Sequence, residues 1–319
     1  MTRDSRRYLL PDAILRISRL ELRARAVVEG VLAGLHRSPY KGQSVEFLQH
    51  RVYVRGDDLR RVDWKDWGRQ DRLTVKEFDE ETNLRLTLLV DCSASMDYHR
   101  QASAKTLSKY DYAATLAASL AWLALSHGDA VGCAAFDDAV RASVPARTRR
   151  NQLEEVCEIL EGQIGGDGEP SAPPGRGRPS DFLPVLRGLA ETLPRRGLVV
   201  ILSDLLGSDG APAWPGVFKG IRYLKGRGHD PVLLHVMDQD ELEFPFDGPT
   251  RFEGLELPAQ IACNPRALRQ GYMEALQEFL SNVRRSSAEV GCDYALVRTC
   301  DPVDATLVEF LSRRASMAT

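Results

Sequence analysis

An apolar stretch over residues 84–90 ends abruptly in a run of short, oxygen-bearing side chains. Its length and composition are typical of an interior strand that is covered on both faces of a sheet. Asp91, Ser93 and Ser95 follow at alternate positions, and a carboxylate with two hydroxyls supplies hard oxygen donors that suit Mg²⁺ or Mn²⁺. Because ligands gather at the carboxyl ends of strands in an open α/β sheet, this loop is a candidate metal site.

The sequence Asp91-Cys-Ser-Ala-Ser95 resembles the D-x-S-x-S signature of von Willebrand factor type A domains, whose metal-ion-dependent adhesion site uses that loop. The resemblance implies two further ligand loops, one with a Thr on a connection between helices and one with an Asp at the end of a later strand. The buried-strand pattern over 198–203 ends in Asp204, and Ser180 stands where the family usually has Thr. Serine keeps the hydroxyl but loses the stiffness of a β-branched side chain. The implied ligands of Mg²⁺ or Mn²⁺ are Asp91, Ser93, Ser95, Ser180 and Asp204.

Each of these motifs is also compatible with a purely structural role. Ser and Asp are common turn and helix-capping residues directly after a strand, and a lone D-x-S-x-S motif favours capping over metal binding. The occurrence of Asp204 and Ser180 in the order that the resemblance requires shifts the interpretation to a metal site. A glycine- and proline-rich loop over 165–179 leads into Ser180, and its composition is typical of a flexible segment.

The composition of the 319-residue chain is that of an ordinary soluble globular protein, with 43% apolar and 27% charged residues. A net charge of −3 gives no general attraction to nucleic acid or to an anionic membrane. The six cysteines show no C-x-x-C spacing, the six histidines show no zinc-ligand spacing, and neither a signal-peptide pattern nor an apolar run of membrane-span length is present. We therefore expect a cytoplasmic protein with reduced thiols and no membrane span.

The elements that would position the loop follow the alternation of strands and helices that is typical of an α/β fold. After residue 84 the pattern predicts a doubly wound, mostly parallel sheet of the von Willebrand factor type A or Rossmann-like kind, with an antiparallel hairpin over 130–144. An amphipathic helix over 10–35 carries several arginines, so it either packs on its own domain or lies on a membrane surface. We predict an N-terminal helix and β-rich segment over 1–83, and an α/β domain over 84–319 with a β excursion near 240–258 that includes β structure over 241–246. Ser108, with Asp111 three residues on, is predicted to cap the helix that follows the candidate metal loop.

A longer pattern lies within the β-rich segment. It resembles the bacterial family catalogued as domain of unknown function 58, through Tyr53-x-x-Gly56-Asp57-Asp58-x-Arg60-x-x-Asp63-Trp64 and Leu73-x-Val75-Lys76-Glu77. Members of that family are typically encoded beside MoxR-type AAA+ ATPases, and the resemblance covers nearly the whole chain. It implies a metal-dependent protein–protein interaction module that acts with such an ATPase, with a chaperone-like role in the assembly or maturation of client complexes. The expected partner group is an acidic residue of the ATPase or of its client.

Two other function classes are compatible with parts of the sequence. Asp beside hydroxyls at a strand end also describes some metal-dependent phosphatases and hydrolases, but Ser93 stands at the second Asp position of D-x-D, and no G-x-S-x-G elbow, P-loop or H-E-x-x-H motif is present. The segment 51–76 has eight basic residues, five acidic residues and two tryptophans. That composition either stacks on single-stranded RNA or forms salt-bridged networks within the protein. We expect no enzymatic activity and no nucleic-acid partner.

Overall fold

Contacts divide the chain into two units, one of residues 1–33 with 84–319 and one of residues 34–83. Within them, the computed structural model describes residues 19–35, 49–52, 74–77, 84–98, 107–162, 181–207, 212–255 and 260–317. In the smaller unit, β1 (Gln49–Val52) pairs antiparallel with β2 (Thr74–Glu77). Most of the charged block over 51–76 lies outside the described residues.

The strands described in the larger unit are β3 (Arg85–Asp91), β4 (Ala130–Phe136), β5 (Val140–Arg147), β6 (Gly197–Ser203), β7 (His229–Met237), β8 (Thr250–Glu253), β9 (Gln260–Cys263) and β10 (Asp293–Arg298). Six of them form one sheet in the order β10-β7-β6-β3-β4-β5. All neighbours in this sheet run parallel except β4 and β5, which form an antiparallel hairpin at one edge. The predicted doubly wound, mostly parallel α/β sheet is thus confirmed.

The described helices are α1 (Leu20–Leu35), α2 (Lys109–Ser126), α3 (Gln152–Leu160), α4 (Phe182–Thr192), α5 (Trp214–Gly226), α6 (Gln239–Glu243), α7 (Pro265–Val290) and α8 (Val303–Met317), with a 3₁₀ turn over Ala94–Asp97. None of them is both long enough and apolar enough to cross a membrane. The predicted helix over 10–35 is described from Leu20 onward, and its apolar stripe packs into the core of the larger unit. The predicted segment 1–83 is therefore divided between the two units.

The core consists of two apolar clusters, one on each face of the sheet. Successive side chains of a strand point to opposite faces. In β3, Leu88 and Val90 pack with helices α1, α2, α3 and α8, whereas Leu89 packs with α4, α5 and α7. Each of these three side chains has no exposed surface. Burial on both faces explains why β3 is an almost continuous apolar run rather than an alternating one.

The segment between β7 and α7 differs from its prediction. Residues 241–246 were interpreted as β structure, but Gln239–Glu243 form the short helix α6. The reason is a capping box, in which the Asp238 side chain accepts the N–H of Asp240 and the Glu241 side chain accepts the N–H of Asp238. The β part of this excursion lies further on, where β8 and β9 pair antiparallel.

Candidate functional site

The loop after β3 holds three of the predicted ligands in one buried cluster. Asp91 and Ser93 have no exposed surface, and Ser95 is also buried. Oδ1 of Asp91 accepts the backbone N–H of Ser93 at 3.0 Å, which turns the chain back over the strand end. The hydroxyl oxygens of Ser93 and Ser95 lie 3.1 Å apart and share a hydrogen bond. The loop therefore presents one carboxylate and two adjacent hydroxyls at the carboxyl edge of the sheet.

The end of the neighbouring strand β6 is tied directly to this loop. The Ser203 hydroxyl donates to Oδ2 of Asp91 at 2.6 Å and accepts the N–H of Leu205 at 2.9 Å. Asp204 is buried, and its Oδ1 accepts the N–H of Leu206 at 3.1 Å. The structure thus brings Asp91 and Asp204 to adjacent strand ends, with Ser203 as the connection. Sequence reasoning gave Ser203 no role because a Ser-Asp pair after a strand is a common turn.

A buried lysine, Lys109, faces the second carboxylate of the site. Its side chain is 1% exposed, and its Nζ lies 2.7 Å from Oδ2 of Asp204 and 2.6 Å from Oε1 of Glu241. Burial alone would lower the pKa of this ammonium group, but the two carboxylates outweigh burial and raise it above its ordinary value. Lys109 is therefore a permanent positive charge at this edge of the sheet.

Sequence reasoning missed Lys109, although one signal was present. Ser108 was predicted to cap the helix, and its side chain does accept the N–H of Asp111 at 3.0 Å. That places Lys109 in the first turn of α2, where the partial positive charge of the helix N-terminus disfavours a cation. Nearby carboxylates offset this unfavourable interaction, so a basic residue at that position is a weak signal of acidic partners from elsewhere in the fold.

The second partner of Lys109 is held in place independently of the lysine. Oε2 of Glu241 accepts the backbone N–H of Asp238 at 2.8 Å, and the Glu241 carbonyl accepts the Tyr272 hydroxyl at 2.7 Å. Asp238 is itself fixed by the Thr299 hydroxyl, which donates to its Oδ2 at 2.7 Å. Burial raises the pKa of Glu241, although the nearby ammonium group opposes that shift. Helix α6 therefore delivers a preformed carboxylate to the site.

The carboxyl end of β4 carries another buried aspartate. Asp137 accepts from Nε of Arg141 at 2.6 Å and from the N–H of Ala139 at 3.2 Å, which are contacts within the β4–β5 hairpin. Its carbonyl accepts the backbone N–H of Asp181 at 3.3 Å, which brings the start of α4 to the same edge of the sheet. Ser180, the predicted replacement for the family's Thr, lies outside the described residues, as does the loop over 165–179.

A neutral histidine lies beneath the site. His235 on β7 is fully buried, with Nε2 3.1 Å from the carbonyl oxygen of Asp204 and Nδ1 3.0 Å from the hydroxyl of Tyr294. Burial lowers the pKa of His235 to about 4, so the ring is uncharged at neutral pH. It contributes hydrogen bonds to the strand end and no competing charge.

The donor set fits a small divalent cation by type. Asp91 and Asp204 supply carboxylate oxygens and Ser93 and Ser95 supply hydroxyl oxygens, which are the hard ligands that Mg²⁺ and Mn²⁺ prefer. Across the described ranges, no group of three or more His, Cys, Asp and Glu side chains is arranged to hold a metal ion. A cation here would therefore depend on the two hydroxyls as well as on the carboxylates. It would also share Asp204 with the ammonium group of Lys109.

The fold and the candidate site together define the class of protein. It is a doubly wound α/β protein with a buried cluster of carboxylates, hydroxyls and one lysine at the carboxyl ends of β3 and β6. The family model described as "Protein of unknown function DUF58" matches residues 49–279. The chain belongs to the DUF58 family, which confirms the family predicted from the charged block and the strand that follows it.

The chain is also similar to several individual proteins. The uncharacterized protein Rv1480 of Mycobacterium tuberculosis strain H37Rv is 28% identical over 307 residues, which cover 95% of this chain and 90% of the relative. The uncharacterized protein Mb1516 of Mycobacterium bovis matches with the same values. A solved structure of the conserved hypothetical protein BatB from Bacteroides thetaiotaomicron is 15% identical with a TM-score of 0.40, covering 73% of this chain and 99% of that one. The pilus adhesin SpaC from Lactobacillus rhamnosus GG is 12% identical with a TM-score of 0.41, covering 74% of this chain and 31% of that one.

Proposed function

We propose that this protein is a metal-dependent protein–protein interaction module of the von Willebrand factor type A kind, which acts in the cytoplasm with a MoxR-type AAA+ ATPase. The observation that carries the proposal is the cluster at the ends of β3 and β6. Asp91, Ser93 and Ser95 are buried together, and Ser203 links Asp91 to the strand end that bears Asp204. A buried group of oxygen donors at the carboxyl edge of a doubly wound sheet is a natural place for a ligand.

Two properties of this donor set favour partner binding. Hydroxyl ligands contribute no charge, and two carboxylates only neutralise a divalent cation, so a bound ion keeps electrophilic character and coordination positions for another ligand. A carboxylate from an acidic side chain of the ATPase, or of a client protein, is the matching ligand. Such a contact adds a charge-assisted bond to a modest interface and makes the interface depend on the metal.

The proposed role is binding rather than catalysis. Ser93 stands where metal-dependent phosphatases of the D-x-D type carry their second aspartate, and a serine hydroxyl bonded to Ser95 does not replace a general acid. His235 lies next to the cluster, but both of its ring nitrogens are already hydrogen-bonded, one to the Tyr294 hydroxyl and one to the Asp204 carbonyl. The described part of the site offers oxygen ligands for a cation, which supports a binding role.

Metal binding is tested most cleanly on the two hydroxyls. Replacing Ser93 and Ser95 together by alanine removes both members of one hydrogen bond. Among the residues that the structure describes, no buried partner is then left unpaired, so stability should change little. We expect titration calorimetry to show Mg²⁺ or Mn²⁺ binding to the wild-type protein and a loss of at least about 100-fold in affinity in the double variant.

The matched control replaces Ser119 and Ser287 by alanine. These hydroxyls are also buried, but they donate to carbonyls within α2 and α7 and lie outside the cluster. We expect the control to bind metal as the wild type does. Equal affinity in the wild type and in the Ser93/Ser95 variant would remove the metal site from the proposal.

Partner binding is tested by co-purification of the tagged protein with a MoxR-type ATPase, identified by mass spectrometry. We expect recovery in Mg²⁺, loss in EDTA and return when Mg²⁺ is restored, because the partner carboxylate binds through the ion. The Ser93/Ser95 variant should fail to recover the ATPase and the Ser119/Ser287 control should recover it. Recovery that does not change with EDTA would keep the interaction and exclude a metal-dependent mechanism.

A further inference from the structure

We propose that Lys109 competes internally with the divalent cation for Asp204, and that Glu241 keeps the ammonium group when the cation binds. This inference rests on the proposed metal site and adds the residues that set its affinity. It starts from one contact: a buried ammonium group lies 2.7 Å from a carboxylate oxygen of the same Asp204 that would serve the metal. A permanent positive charge in that position opposes the approach of a second cation.

The lysine is confined to the interior of the site. Its side chain is 1% exposed, and its own backbone N–H donates to the carbonyl of Tyr98 at 3.0 Å. The Tyr98 ring lies 5.9 Å from Nζ and covers it on one side. When a divalent ion engages Asp204, the ammonium group must therefore find its counter-charge among the carboxylates already around it.

Glu241 meets that requirement. The Nζ atom of Lys109 lies at nearly equal distances from Asp204 and Glu241, 2.7 and 2.6 Å. It can therefore lose its contact with one carboxylate and keep its contact with the other. Glu241 does not depend on the lysine for its position, because the capping box of α6 and the Tyr272 hydroxyl hold it. Its side chain is 20% exposed, against 2% for Asp204, so Glu241 is the more solvent-accessible of the two partners of the ammonium group.

Through Lys109, the metal affinity at Asp204, at the end of β6, should depend on Glu241 of helix α6. Removing the charge of Lys109 should strengthen metal binding, because Asp204 then has no competing cation. Removing the charge of Glu241 should weaken metal binding, because the lysine then depends on Asp204 alone. Two neutralising substitutions of neighbouring residues are thus expected to act in opposite directions, which a purely structural role of either residue does not produce.

The experiment measures Mg²⁺ affinity by titration calorimetry and Mn²⁺ affinity by electron paramagnetic resonance, in the full chain. We expect Lys109→Met to bind at least about tenfold more tightly and Glu241→Gln at least about threefold more weakly than the wild type. Arg141→Gln is the matched control. Arg141 pairs with Asp137 at the end of β4, so this substitution removes a positive charge without affecting a contact of Asp204. We expect it to change the affinity by less than about twofold.

Each outcome separates this inference from the proposed function. If the wild type binds metal and Lys109→Met binds it equally or more weakly, the inference is overturned and the metal site stands. The same conclusion follows if Arg141→Gln tightens binding as much as Lys109→Met does. If Lys109→Met binds metal and the wild type does not, competition between Lys109 and the cation is supported, and metal dependence of the natural protein is overturned. No binding by either protein overturns both. If circular dichroism shows Lys109→Met to be unfolded, Glu241→Gln decides, and unchanged or tighter binding by that variant overturns the inference.

Discussion

Replacing Asp204 by alanine while Lys109 is kept is expected to lower the free energy of unfolding by about 3 kcal/mol or more. Both side chains are almost completely buried, and their charged atoms lie 2.7 Å apart. The substitution leaves the ammonium group with Glu241 alone, in surroundings that cannot solvate it. Denaturant unfolding with one spectroscopic probe of the whole domain measures this loss.

A double-mutant cycle identifies the cause. Adding Lys109→Met to Asp204→Ala removes the buried ammonium group that has lost one of its two carboxylates, so the double variant should be more stable than Asp204→Ala. The matched surface pair is Arg285 with Glu289, whose side chains are well exposed. Glu289→Ala should change stability by less than about 0.5 kcal/mol. An Asp204→Ala variant as stable as Glu289→Ala would contradict the buried pair.

Replacing Gly132 by valine is expected to destabilise the protein by about 3 kcal/mol, although valine normally favours a strand. A Cβ atom at this position of β4 would lie 2.7 Å from the backbone nitrogen of Ala146 and 2.9 Å from the carbonyl oxygen of Val144. Both atoms belong to the backbone of β5, which crosses close to β4 at an irregularity in their register. Side-chain rotation cannot relieve such a contact, so the edge strand must move. Thermal and denaturant unfolding measure the effect.

Gly188 is the control for this substitution. It is exposed in the middle of α4, and no atom lies within 4 Å of the position that its Cβ would take. Gly188→Ala should therefore raise stability by about 0.5–1 kcal/mol, the usual gain of alanine over glycine in a helix. A Gly132→Val variant that is as stable as the wild type would show that β5 is not held against β4 in this way.

Much of the fold could be predicted from the sequence, because the relevant signals are local. The apolar run before Asp91 and the similar run before Asp204 became the adjacent parallel strands β3 and β6. The Ser108 cap predicted the start of α2 to the residue. The interpretation of 241–246 as β structure was wrong, because hydrophobic alternation over a few residues weighed more than the Asp-x-x-Glu capping pattern just before it.

The sequence by itself determined the family, the doubly wound sheet and the strand ends at which Asp91, Ser93, Ser95 and Asp204 lie. Those properties follow from residue periodicity and from short motifs, each of which is contained in one stretch of chain. Only the tertiary structure decided that Lys109 and Glu241 belong to the same cluster. Lys109 meets Asp204 across 95 residues of sequence separation and meets Glu241 across 132. No local pattern encodes such a meeting, because it is fixed by how α2, β6 and α6 pack around the edge of one sheet.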